Sequence, residues 1–169
     1  FPSLSKKQMV QELQNSGVKP SEVNLMISIT NSLDQIKELS KDDWFASMQR
    51  LLEKWFTYLV KENNMAMPFI QMSLMPLITN KDRQRIVISM MLSLFDDVLE
   101  MKYGTLADDR VKYPAILAQT KLAANQWNND QLLTMLDELL DMNSRMAVNV
   151  NFQNIIEALT LKILAIGQS

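Results

Sequence analysis

The run FQNIIEALTLKILAIG, residues 152–167, constrains the fold more than any other stretch of the chain. Ile155, Ile156, Ala158, Leu159, Leu161, Ile163, Leu164, Ala165 and Ile166 leave only Glu157, Thr160 and Lys162 polar before Gly167, which is expected to end the helix. Projected at about 100° per residue, the apolar side chains run nearly all the way round. Such a helix is either buried in its own domain or half buried against another chain. The stretch before it places Leu132, Leu133, Leu136, Leu139 and Leu140 as one apolar stripe on a second helix. Asn129 is placed to cap that helix, with Asp130 in its first turn where the dipole favours negative charge. Asn149-Val150-Asn151 breaks the pattern, and Asn151 can cap the final helix. The pair predicts a helix bundle with a candidate protein interface.

Composition supports an all-helical chain. With 169 residues, 47% of them hydrophobic, and only three Gly and five Pro, it can bury one solid core, or one core and a small appendage. A formal net charge of −2 gives no general nucleic-acid-binding surface. The one local basic cluster, Lys81 to Arg85, sits at a helix start and reads as a solvated face. The chain has no Cys, hence no disulfide, thiolate nucleophile or cysteine metal site. Its lack of His excludes His-based triads, HExxH zinc sites and Glu-x-x-His di-iron pairs. No stretch has the length and uniformity of a membrane span and none reads as a signal peptide, so a cytoplasmic location is expected. The start at Phe1 rather than Met suggests a piece of something longer, and a processed tag would leave the same trace.

Taken in order, Ser5-Lys6-Lys7-Gln8 is a capping-box pattern, and Leu4 can staple onto Met9. Gly17 stops this first helix, Pro20 opens a second, and a third carries Leu33, Ile36 and Leu39 after Thr30-Asn31-Ser32. Three short helices make a marginal core alone, so residues 1–42 read as a small three-helix subdomain leaning on a neighbour. Residues 43–169 then read as a five- to six-helix domain. Ser40 to Asp43 forms an acidic capping box for a long helix to about Glu62, ended by Asn63-Asn64. Met65 to Ile78 is a short helix between Pro68 and Pro76. Lys81 to Tyr103, capped by Thr79 or Asn80 and stopped by Gly104, is the central core helix. A polar loop, 105–112, leads to a helix opened by Pro114 and ending near Trp127. The Met-rich stretch with Met65, Met67, Met72 and Met75 reads as core filler rather than an adaptable groove.

Two acidic clusters are the nearest approach to an enzyme signal. Asp96, Asp97 and Glu100 share one helix, and Asp137, Glu138 and Asp141 another. Facing each other they could hold Mg²⁺ and a diphosphate, as in an all-α nucleotide pyrophosphatase-like hydrolase. As solvated helix faces they need no ligand, and Asp141 has Arg145 at i+4 as an ordinary surface partner. No Gly-rich phosphate loop accompanies them. The clusters are expected not to converge. A ligand-binding helical domain of a regulator is a further alternative, and would need a closed apolar pocket.

The segment SLFDDVLEMKYG (93–104), with NVNFQNIIEALTLKIL (149–164) after it, resembles the C-terminal region of the delta-prime subunits of bacterial DNA polymerase III clamp loaders. Asp97-Val98-Leu99, Lys102 and Gly104 fit one element of that family, and Asn149 and Asn151 the entry to its last helix. Asp96 stands where the family often has Arg, and Phe152 where it often has Pro. The resemblance implies that 1–42 is the family's three-helix lid and 43–169 its helical collar, with an ATPase-like domain before Phe1. Asp34 stands where ATP-hydrolysing relatives carry an Arg that reaches the nucleotide. By implication this region is not an enzyme. It needs no cofactor, metal or small-molecule substrate, and touches neither nucleic acid nor membrane. Its partners would be the gamma/tau-type and delta subunits. The expected interface comprises Asn149, Asn151, Glu157, Thr160, Leu161 and Leu164, with Leu161 and Leu164 on an uncovered mixed face.

Overall fold

A computed structural model describes residues 5–146 and 151–169, the side chains of Ser21 and Asn143 excepted. The described residues form nine α-helices and no strand. Three short ones come first: α1 (Lys6–Asn15), α2 (Pro20–Ile29) and α3 (Leu33–Ser40). Ser5 and Gln8 close the capping box at the start of α1, while Leu4 lies outside the described residues. Gly17 turns the chain at φ +83°, a conformation that glycine adopts without a Cβ clash. Pro20 opens α2 and Ser32 caps α3 through the Gln35 N–H.

The long α4 (Trp44–Val60) is unbroken and buries Phe45, Met48, Leu52, Trp55, Phe56 and Leu59 on one face. Its start differs from the expected capping box. Ser40 still belongs to α3, where its hydroxyl donates to the Ile36 carbonyl, and Asp42 accepts the Trp44 N–H instead. The helix begins a turn too late for Ser40 to reach it. Its end differs too. Glu62, not an Asn, takes the left-handed conformation at φ 55°, and the Asn63 N–H closes the turn on the Tyr58 carbonyl.

The next helical run starts with α5 (Ala66–Phe69), widens to a π turn over Ile70–Leu74 and tightens to a 3₁₀ turn over Met75–Leu77. Pro68 falls in the first turn, where its missing N–H costs nothing. Of the methionines singled out there, Met65 and Met72 are exposed and Met67 and Met75 half-buried. Asn80 caps α6 (Lys81–Lys102), and Gly104 closes it at φ +72°. This is the central helix: α2, α4, α7 (Leu117–Gln126) and α8 (Asn129–Met146) all pack on it. Helix α9 (Phe152–Gly167) covers α8, α4 and the 66–74 segment.

One buried cluster runs from Met9 in α1 to Leu164 in α9. At its centre Phe95 stacks on Trp127 at 5.8 Å and 4°, and Phe56 meets both rings edge-on at 5.7 and 6.0 Å. Such pairs add about 0.5–1.5 kcal/mol each beyond their buried area. Gly167 serves this cluster rather than a left-handed turn. A Cβ there would stand 3.1 Å from the Trp127 ring nitrogen, so the absent side chain lets α9 approach that ring.

Candidate protein interface

Two details of local chemistry set how α8 and α9 present themselves. The cap of α8 is Asn128, one residue before the expected Asn129. Its side chain accepts the Gln131 N–H while the Gln131 side-chain Oε1 accepts the Asn128 N–H, a reciprocal box that Asn129 has no partner to make. The expected single leucine stripe of α8 is divided between two faces. Leu132, Met135, Leu139 and Met142 point into the core. Leu133 and Leu140 point outward and Leu136 lies between. Adjacent leucines on a helix stand about 100° apart, so one neighbour of each pair must leave the core.

The sequence places five of the six expected interface residues in described parts of the structure; Asn149 lies outside them. Asn151 is exposed and caps α9 by accepting the Asn154 N–H. Glu157 is half-buried beside Gln153, whose amide donates to it at 2.9 Å. Leu161 is 55% exposed, an apolar side chain with nothing of its own chain over most of it. Thr160 and Leu164 are inside. Thr160 is fully buried, its hydroxyl donating to the Ile156 carbonyl and accepting the Trp55 indole N–H at 3.1 Å. Leu164 is only 6% exposed. The expectation that Leu161 and Leu164 share an uncovered face therefore divides. Residues 152, 155, 156, 159, 160, 163 and 164 bury about half the circumference of α9, and the outer arc is Asn151, Asn154, Ala158, Leu161 and Ala165. Lys162 at the edge of that arc pairs with Glu138 of α8 at 3.0 Å.

The acidic clusters resolve in the same detail. Among the described residues no group of three or more acidic side chains is arranged to hold a metal ion. Asp97 is not on a solvated face: it is 1% exposed. Its carboxylate accepts the Lys112 backbone N–H at 2.8 Å and the Lys112 ammonium at 3.1 Å, and the Tyr113 N–H adds to the hold. Burial pushes the Asp97 carboxyl above its ordinary pKa, and Lys112 offsets that only in part. Burial works against the Lys112 ammonium too, but the carboxylates of Asp97, Asp96 and Glu100 outweigh it and hold its pKa above the usual lysine value. The pair thus pins the 105–113 loop to α6. Next to it Tyr113 is fully buried and donates to the Met90 carbonyl at 2.8 Å, its pKa raised well above the usual range by burial and by the charges of Asp97 and Glu53. None of these partners was visible in local pattern, since each joins segments distant in sequence. Asp141 does form the expected i+4 pair with Arg145. No helix among the described residues is long and apolar enough to cross a membrane.

No family model matches the chain, and no solved structure matches it significantly. Among curated proteins, the DNA polymerase III subunit delta' of Bacillus subtilis is 28% identical over 163 residues. That match covers 96% of this chain and 49% of the relative, its C-terminal half. The chain therefore spans about half the length of the curated relative it matches. Along nearly all of its residues, and in an all-helical fold, the chain resembles the C-terminal half of a bacterial DNA polymerase III delta' subunit.

Proposed function

We propose that this chain is the lid and collar of a clamp-loader subunit of the delta-prime type, a non-catalytic part that holds its place in a ring of subunits by helix-to-helix packing. The observation that carries this reading is the match to a delta' subunit along 96% of the chain. In this reading residues 1–42 are the lid and 43–169 the collar, and the protein works in DNA replication. The partners are collar helices of the gamma/tau-type and delta subunits. The outer arc of α9 supports the choice of surface, because Leu161 is an exposed leucine with the polar Glu157 one turn before it and Lys162 beside it, the pattern of an interface core with a polar rim. Thr160 and Leu164 contribute from beneath by fixing the orientation of α9, through the Trp55 bond and core contacts.

Co-purification of the chain with the collar regions of its sister subunits tests the reading. The expected result is a complex that Leu161→Asp disrupts while the helical circular dichroism of the chain is unchanged. Failure of the wild-type chain to associate with any of those subunits well above micromolar concentration would retire it.

A further inference from the structure

We propose that the groove between α6 and α8 is a docking site for a helix of another protein, apolar on one face and flanked by lysine or arginine. The groove encloses about 480 Å³, and Leu92, Leu133, Leu136 and Leu140 form its apolar part. Leu133 and Leu140 are 45% and 55% exposed, so it is open to solvent. The three α8 leucines stand at i, i+3 and i+7. That spacing covers about 10 Å at 1.5 Å per residue, a length over which a helix lays successive apolar anchors into a groove. Leu136 packs partly against the core, but Leu133 and Leu140 do not, because the inner stripe of α8 already supplies the packing against its own fold.

The other wall is built from serines. Ser93 donates to the Ser89 carbonyl and shares a hydrogen bond with Ser28 at 3.2 Å, so these hydroxyls have partners within the chain. They are short, and leave room for a partner's side chains. Charge chooses the partner. Asp96 and Asp137 border the leucines, and Asp137 has no ion-pair partner among the described residues. The one cation in the lining, Lys112, lies 3.1 Å from buried Asp97 and 3.4 Å from Asp96. Lys112 is shared between Asp97 and Asp96, so its single charge leaves the rim net negative, and Asp137 stands beside the apolar strip without a counter-charge among the described residues. A helix with basic flanks supplies the opposite charge, and an acidic one is repelled. None of these residues belongs to the outer arc of α9, so the inference stands apart from the ring-assembly reading.

The test uses the full chain and a synthetic helical peptide of leucine and lysine, about 18 residues or five turns long, with leucines at i, i+3, i+4 and i+7. Fluorescence anisotropy should show saturable binding, and the same peptide with glutamate for lysine should not bind. The double variant Leu133→Ser/Leu140→Ser and the charge reversal Asp137→Lys should each weaken binding by about tenfold or more, which corresponds to a single good contact. All three positions are exposed, so folding is retained, as circular dichroism would confirm. Leu161→Ser should bind as the wild type does. Equal binding of the glutamate peptide, unchanged affinity in the groove variants, or no binding of the lysine peptide would each overturn the proposal. So would self-association of the chain that the same variants abolish, since that assigns the groove to a second copy.

Discussion

Replacing Asp97 by alanine should destabilise the chain by about 3 kcal/mol, and the structure says where that figure comes from. Two resolved hydrogen bonds to the carboxylate disappear, from the Lys112 backbone N–H at 2.8 Å and from its ammonium at 3.1 Å. Bonds to a charged group contribute about 1.5–3 kcal/mol each, so their sum is about 3–6 kcal/mol. Two effects reduce it. The carboxyl pKa is raised by burial, so the ionised group is held at a cost that alanine removes. Asp96, already 3.4 Å from the ammonium, remains to hold Lys112. Breaking a buried ion pair generally costs about 3–5 kcal/mol, which puts the estimate at the lower end. For a chain of this size 3 kcal/mol lowers Tm by roughly 6–12 °C. Urea unfolding followed by tryptophan fluorescence at neutral pH measures the loss, because Trp55 and Trp127 are buried. Asp96→Ala, at an exposed site, should cost less than about 1 kcal/mol. Asp97→Asn keeps an acceptor for the backbone N–H without the charge and should fall between the two. In Asp97→Ala/Lys112→Met the second change removes an ammonium left with only its longer contact to Asp96, so the double variant should be more stable than the sum of the singles predicts. If Asp97→Ala is as mild as Asp96→Ala, or if the two changes add to within about 0.5 kcal/mol, the pinning role of the pair is wrong.

Thr160→Val strands the buried Trp55 indole N–H and should cost about 1–3 kcal/mol, whereas Thr160→Ser should lose less because it keeps the acceptor; denaturant unfolding distinguishes them. Glu62→Gly should stabilise by about 0.5 kcal/mol, since glycine takes the left-handed turn after α4 without strain, and a higher urea midpoint at unchanged slope would show it. Alkaline pH should unfold the chain through Tyr113 and Lys112. Both have folded pKa values above their unfolded ones, so their contributions are complete below about pH 10 and are lost as the pH rises beyond it. Tyr113→Phe should flatten the alkaline slope of stability, and an unchanged slope would count against the buried hydroxyl as its source.

Much of the fold could be read locally because helix signals are local. Ser5 with Gln8, Pro20, Gly17, Asn80 and Gly104 each act within a few residues of where they stand, and all sit where their chemistry places them. The misplaced caps at Ser40 and Asn129 are errors of one residue to one turn: several polar residues in a row are all competent to cap, and packing decides which one does. The helix faces were harder, because a hydropathy stripe wider than one core contact does not say where the core stops. Leu132 and Leu133 are the same residue to a periodicity, yet only Leu132 is buried.

The buried polar residues mark the limit more sharply, and they carry the argument about the interface. Thr160 is expected on the mixed face with Glu157, Leu161 and Leu164, yet it is buried, and its partner, Trp55, lies 105 residues away. Asp97 read as part of a solvated cluster, and its partner arrives from a loop 15 residues on. A polar side chain in the core is stable only when such a partner exists, so its direction is decided by tertiary structure that no local pattern contains. The converse holds for Leu161 and Leu140: leucine has no partner to lose, so it can be left outside at little cost to the folded chain. Inward polar residues therefore fix how α8 and α9 are oriented, and outward leucines show which surfaces that orientation leaves available to other proteins.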